Sequence, residues 1–248
     1  MTVQTAAGMV RAMCNYYDRH RDPRNLQAMF RFPELPNMEP RYVVRPTNVE
    51  RVVVEQDSGR HLVSMRWGLV PFWSKDIKTG LTMFNAQSET ILEKRSFNEP
   101  LRRGRRCLVP VDGFFEFTGE RGAKQPHYFK PRDDRVMAFA GLWESWRGPK
   151  DAPLDEPLLS FTFATTAPNA VVAPFHSRMP VFLSTPEEWD AWLAPGAEPL
   201  ALTDLLRPAP DDLLETFLVT RELLKIKEPG PEVLLPVDPP AGSRYPEI

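Results

Sequence analysis

Cysteine is scarce in this chain of 248 residues: Cys14 and Cys107 are the only two, too few for a disulfide framework. They form no CxxC pair, and His20, His61, His127 and His176 show neither HxH nor HExxH spacing, so the sequence supports no metal site. A GxGxxG turn and a phosphate-binding Gly-Lys-Ser/Thr loop are also missing, which argues against a nucleotide and leaves no cofactor expected. Long apolar runs are absent too. The longest, Val136 to Trp143, is far too short to cross a bilayer, and Met1 to Gly8 lacks the apolar centre of a secretion signal. The expectation is a cytoplasmic protein with no membrane role. Glycine is low at 13 residues and proline high at 27, a sum below the low-complexity range, so the prolines punctuate a fold of many short elements.

Net charge is also small, at −2, yet it hides an asymmetry. Residues 1 to 110 carry 18 Lys+Arg against 11 Asp+Glu, or +7, and the remainder carries 13 against 22, or −9. Such a split permits a basic face for a polyanion on a protein that is not basic overall, or simply a solvated arginine-rich surface. Apolar stretches of strand length recur at Arg51–Glu55, His61–Trp67, Arg106–Pro110 and Ser160–Thr165, with shorter ones at His127–Lys130, Val136–Trp143 and Met179–Leu183. Helical signals are fewer. Thr185-Pro-Glu-Glu188 reads as a cap and capping box, and further helices are expected over Glu89–Phe97 and Asp211–Leu218. The stretch from Glu228 to Ile248, with six prolines, reads as an extended tail in which Val233–Pro236 could return as an edge strand. The organisation expected is one β-rich α+β domain over 13–227, preceded by a leader at 1–12 and followed by the tail at 228–248.

Met13-Cys14 carries a distinct chemistry if Met13 is removed. An N-terminal cysteine offers a thiol beside an α-amine whose reference pKa of about 7.7 to 8.0 leaves it far more often neutral than a lysine. Amine and thiol together capture an aldehyde: the amine condenses to an imine, the thiolate adds to the imine carbon, and a thiazolidine ring closes. An internal Cys14 would instead be a small buried hydrophobe, as Cys107 is expected to be within its apolar strand. Three downstream segments place polar groups where a core pattern does not call for them: Phe84-Asn-Ala-Gln-Ser-Glu89, Asp112-Gly-Phe-Phe-Glu-Phe117 and Phe175-His-Ser-Arg-Met-Pro180. Desolvation between aromatics would raise the pKa of Glu116 and suit it to proton transfer. Singly, Asn85 reads as a turn residue, Glu116 as a solvated strand residue and His176 as a loop histidine.

Together, and with Arg41–Thr47, Arg66–Trp73, Arg106–Phe117 and Ala140–Trp143 in order and spacing, these segments resemble the SOS response-associated peptidase family, also described as abasic-site processing proteins. The resemblance implies a β-rich α+β domain with barrel-like strands, whose terminal cysteine crosslinks the ring-opened sugar of an abasic site in single-stranded DNA. It implies Cys14 as nucleophile, Asn85 as positioning residue, Glu116 as acid/base and His176 as the proton donor to the departing sugar oxygen. Arg45, Arg66 and Arg178 would meet phosphates, while Trp67, Phe72 and Trp73 would stack on unpaired bases; Trp67 reads equally as core. Three departures from the family pattern stand out. Asn15-Tyr16-Tyr17 replaces Gly-Arg-Phe, Gln87 stands for an arginine and Phe117 for a tryptophan, and two lost cations should weaken DNA binding and its salt dependence. The family name adds peptidase activity, with self-cleavage at Met13-Cys14 as one expression of it; a start of translation at Met13 is the simpler route to a terminal Cys14. Two other readings compete: an N-terminal-nucleophile hydrolase acting on an amide, and a non-covalent single-strand DNA binder.

Overall fold

The computed structural model describes residues 15–35, 37–120 and 122–239. Along them run β1 (Tyr17–Arg19), α1 (Pro23–Phe30), β2 (Arg41–Val44), β3 (Val49–Gln56), β4 (Gly59–Trp67), β5 (Asn85–Gln87), α2 (Arg95–Arg102), β6 (Arg106–Val111) and β7 (Gly113–Thr118). They continue as β8 (Gln125–Pro131), β9 (Met137–Trp146), β10 (Leu158–Thr166), β11 (Met179–Pro180), β12 (Phe182–Leu183), α3 (Pro186–Leu193) and β13 (Leu214–Leu218).

β10 pairs with both β4 and β9, so the path β4-β3-β6-β9 closes into a five-stranded barrel. The β4–β10 contact is parallel and the others antiparallel. The apolar residues of these strands alternate between two environments, as the two-residue period of a strand requires. Val52, Val54, Cys107, Val109, Phe139, Phe161 and Phe163 join one buried cluster with Tyr17, Phe114 and Phe129. The intervening Val53, Leu108, Ala138, Ala140 and Leu142 meet α1 through Leu26 and Phe30, α2 through Phe97 and Leu101, and α3 through Trp189 and Trp192.

A second sheet, ordered β13-β8-β7-β1-β2, supplies Tyr17, Phe114 and Phe129 to the first cluster. Tyr17 meets Trp67 edge-on at 5.2 Å and Phe139 at 5.6 Å, geometry that aromatic quadrupoles favour. The opposite face of this sheet buries Phe115 and Tyr128 with Val219, Leu223 and Val233.

The strand expectations and the α+β class agree with this architecture, and three local expectations do not. Asp211–Leu218 is not a helix: Leu214–Leu218 forms β13 and pairs with β8 from Pro131 to His127, because the edge of β8 offers a ladder that outweighs local propensity. Glu89–Phe97 is not one helix either. A 3-10 turn spans Ser88–Thr90, the Thr90 carbonyl then accepts from Glu93 and Lys94 at 3.1 and 3.0 Å, and α2 starts only at Arg95, with Ile91 and Phe97 both buried. Val233 does return to the sheet, but within a 3-10 turn over Pro231–Leu234 rather than as an edge strand. The α3 signal holds, with Thr185 Oγ1 accepting from the Glu188 N–H at 3.2 Å.

At the β6–β9 crossing, Gly141 faces Cys107, and a Cβ there would lie 2.5 Å from Cys107 Sγ. Gly141→Ala should therefore cost about 1–3 kcal/mol in urea unfolding. Adding Cys107→Ala should recover part of that loss, and the coupling in the double-mutant cycle is what identifies the clash.

Candidate functional site

β5 lies parallel to the end of β10, with Asn85 beside Phe163 and Gln87 beside Thr165. On its other side Thr165 pairs with Pro180 of β11, so the segment from Phe175 to Arg178 enters the sheet next to Asn85-Ala-Gln87. Arg178 ties the two together: its guanidinium forks onto Glu89 at 2.5 and 2.8 Å and donates to the Thr165 carbonyl at 2.6 Å. This fork holds the Glu89 carboxyl below its usual range. His176 is 6% exposed. Its Nδ1 lies 3.1 Å from the Arg178 N–H and 3.2 Å from the Arg178 carbonyl. The neutral ring accepts from the first and the protonated ring donates to the second, so both protonation states find a partner.

Phe175, just before His176, carries the contact onward, with its ring centroid 4.4 Å from His127 and 5.3 Å from Phe129 on β8. His127 stands opposite Glu116 of β7, and both are buried. Thr118 Oγ1 lies 2.8 Å from His127 Nε2, and burial pushes the imidazole down to about 4, so the ring is uncharged near neutral pH. On the other side of β7, β1 runs antiparallel with Tyr17 opposite Phe114. Tyr16 O accepts from Phe115 N at 3.0 Å, and Tyr16 packs edge-on against Phe117 at 5.3 Å. Continuing that register by two residues brings Asn15 alongside Glu116. Cys14, the expected nucleophile, lies outside the described residues, as do the expected leader at 1–12 and residues 240–248 of the tail. Strand register, the Arg178 brace and ring packing thus set Asn85, His176, His127, Glu116 and Asn15 along one path through the two sheets.

The cationic and aromatic expectations divide. Trp67 offers no stacking surface: it is fully buried, and its Nε1 donates to the Phe84 carbonyl at 2.8 Å, so its aromatic area is spent on the core. Arg45 donates to the Leu223 and Ile226 carbonyls at 3.2 Å each and clasps the C-terminal segment. Arg66 is half-buried beside the Gly68 carbonyl, at 3.3 Å, and burial lowers its pKa. Trp73, by contrast, is 42% exposed with Arg95 5.5 Å above its ring. These two line a groove of about 520 Å³ with Asn85, Gln87 and Lys94. Phe72 is half-buried under Arg103, 4.5 Å from its ring centroid. Sequence reasoning missed His127, Lys94 and Arg95. The first was set aside for want of a metal-type spacing, although its alternation with Phe129 across from Glu116 and Phe114 put it on the same face.

Among the described residues, one group has donors arranged as a metal site would need: Asp18, His20 and Asp112. Its oxygens are already engaged. Tyr128 OH donates to Asp18 at 3.0 Å, His20 Nδ1 meets Asp18 at 2.5 Å, and Asp112 accepts from the His20 and Arg21 backbone at 2.7 and 2.8 Å. Burial raises Asp18 to about 7, and its hydrogen bond raises His20. The group anchors β1 to β7 and β8.

The family model for SOS response-associated peptidases matches residues 13–226. The chain belongs to the SOS response-associated peptidase family. One relative within this family, abasic site processing protein YoqW of Bacillus subtilis, is 37% identical over 197 residues, covering 79% of this chain and 85% of its own. Abasic site processing protein HMCES of Gallus gallus is 32% identical over 218 residues, 78% of this chain and 63% of the chicken protein. A crystal structure of a protein from Bacteroides thetaiotaomicron has the same fold, with a TM-score of 0.79 at 24% identity, over 90% of this chain and 100% of that one. A phage-related protein from Bordetella bronchiseptica superposes with a TM-score of 0.65 at 26% identity, over 84% and 95% of the two chains.

His127 gives a pH test of this arrangement. Folding lowers its pKa from 6.5 to about 4, so the unfolded chain binds the extra proton between those values. The stability it supports is complete above pH 6.5 and is lost as pH falls towards 4, about 3 kcal/mol in all. Urea midpoints of wild type and His127→Gln at pH 7 and pH 4.5 should show a smaller acid loss in the variant.

Proposed function

We propose that this protein processes abasic sites in single-stranded DNA by forming a covalent thiazolidine link through a terminal Cys14. The observation that carries this reading is the β1–β7 register, which runs the chain following Cys14 alongside Glu116, on the path that reaches Asn85 and His176. The names of the relatives, abasic site processing proteins, supply the substrate class.

An abasic sugar in its open form presents an aldehyde. The α-amine of Cys14 adds to that carbon once Glu116 has taken the proton of the α-ammonium; loss of water leaves the imine; the Cys14 thiolate then adds to the imine carbon and closes the ring. Asn85 holds the opened sugar by hydrogen bonds. His176 protonates the sugar oxygen as the ring opens, and its two backbone partners support either protonation state. The α-amine exists only where Cys14 is terminal, so removal of the preceding residues, by self-cleavage at Met13-Cys14 or by a start at Met13 followed by hydrolytic removal of that methionine, is part of the proposal. The exposed Trp73, Arg95 and Lys94 beside Asn85 suit the flanking strand: a base stacks on the indole and phosphates meet the cations.

Intact mass spectrometry before and after mixing with a single-stranded oligonucleotide bearing one abasic site tests the proposal. A chain beginning at Cys14 should gain the oligonucleotide mass less one water, and Cys14→Ala should abolish the gain. No adduct from a protein whose mass begins at Cys14 would reject the crosslink in favour of non-covalent binding, and an acyl intermediate with an amide would favour the hydrolase. For the strand path, Trp73→Ala should weaken single-strand binding by about 1–3 kcal/mol. Arg95→Ala should reduce the slope of log K against log salt by about 0.7.

A further inference from the structure

His127 is a buried titratable group that the chemistry above does not use. The β7–β8 register sets it directly opposite Glu116, and directly opposed residues of an antiparallel pair project from the same face with Cβ atoms about 4.5–5.5 Å apart. The 2.8 Å contact between Thr118 Oγ1 and His127 Nε2 marks that face, because Thr118 lies two residues beyond Glu116 on the same strand. Three elements pack around the ring: β7 with Glu116 and Thr118, β13 with Leu218 opposite it, and the segment of Phe175, at 4.4 Å, which continues into His176. Its 3% exposure excludes bulk water, and burial depresses its pKa to about 4. The three chemistries possible at this position have different consequences for Glu116. A cation would hold the carboxylate in a permanent ion pair and make it a poor proton acceptor; a hydrocarbon would leave it desolvated and protonated too readily; a neutral imidazole with a fixed ring does neither.

We propose that His127 is a positioning residue of this site: its uncharged ring, oriented by Thr118 and backed by Phe175, supports Glu116 as the ionised carboxylate that receives the proton of the attacking amine. This inference rests on the role given to Glu116 in the proposed function. The proton passes from the α-ammonium nitrogen to a Glu116 carboxylate oxygen, and no bond at His127 is made or broken.

The test is a carbon-13 NMR titration of the Glu116 side-chain carboxyl, assigned by its loss in Glu116→Gln, in wild type, His127→Gln, His127→Leu and Thr118→Val. His127→Leu should raise the Glu116 midpoint by about one pH unit, and His127→Gln, which keeps an uncharged polar partner, should stay within about 0.3 of wild type. Thr118→Val, which only frees the ring, should move the midpoint by about half a unit and serves if His127→Leu fails to fold. Single-turnover crosslinking should show its acid limb displaced in the same direction in His127→Leu and restored in His127→Gln, a pattern that general loosening of the fold would not give. A Glu116 midpoint unmoved in folded His127→Leu, or unmoved in Thr118→Val where the leucine variant unfolds, overturns the inference. The titration needs no DNA, so absence of a crosslink from wild type rejects the proposed function alone.

Discussion

Tyr17 joins the two halves of the structure. Its backbone lies in register with β7 in the five-stranded sheet, opposite Phe114, while its ring is wedged among Trp67, Phe139 and Phe163 of the closed barrel. Burial of a ring of this size stabilises by a few kcal/mol, and a one-residue slip would turn it out of the core, so the register of β1 is strongly fixed. The next residue, Asp18, and then His20 and Arg21 just past the end of the strand, through their contacts with Asp112, anchor it further. The path of the chain entering β1 is therefore dictated by packing on its far side, which leaves the residues just before it to be presented beside Glu116.

Several of the arginines that the sequence offers for a polyanion are used inside the protein. Arg45 clasps the C-terminal segment, Arg106 donates to the Trp192 and Ala194 carbonyls at 2.6 Å each, and Arg178 is forked onto Glu89. An excess of +7 in residues 1 to 110 thus overstates the cationic surface. What remains near Asn85 is Lys94 and Arg95 around Trp73, at the start of a helix. Arg178 works as a brace between the His176 segment and the residues after β5, which couples the two sides of the site mechanically.

Elements whose partners are strands of the same barrel were legible in the sequence, because burial on one or both faces leaves strand-length apolar runs in β3, β4, β6 and β10. The cap at Thr185 was legible because capping is local. Leu214–Leu218 was not, since its strand character comes from the edge of β8 more than 80 residues earlier, and amphipathic spacing alone cannot see that edge. For the site, the residue types around Asn85, Glu116 and His176 were readable, and the path through Phe175 and His127 was not, because it crosses two sheets and a loop. Exposure separated Trp73 from Trp67, two tryptophans six residues apart with opposite fates.

The β1 register sets Asn15 alongside Glu116, and the proposed chemistry needs a terminal Cys14 to react beside that carboxylate. The most direct measurement compares single-turnover crosslinking to an abasic oligonucleotide by two proteins that both begin at Cys14, one unaltered and one with a glycine inserted after Asn15. An adduct is expected with the first and a rate at least about 100-fold lower with the second, with urea midpoints alike because Tyr17 and everything after it are untouched. Equal rates in the two proteins would contradict that placement.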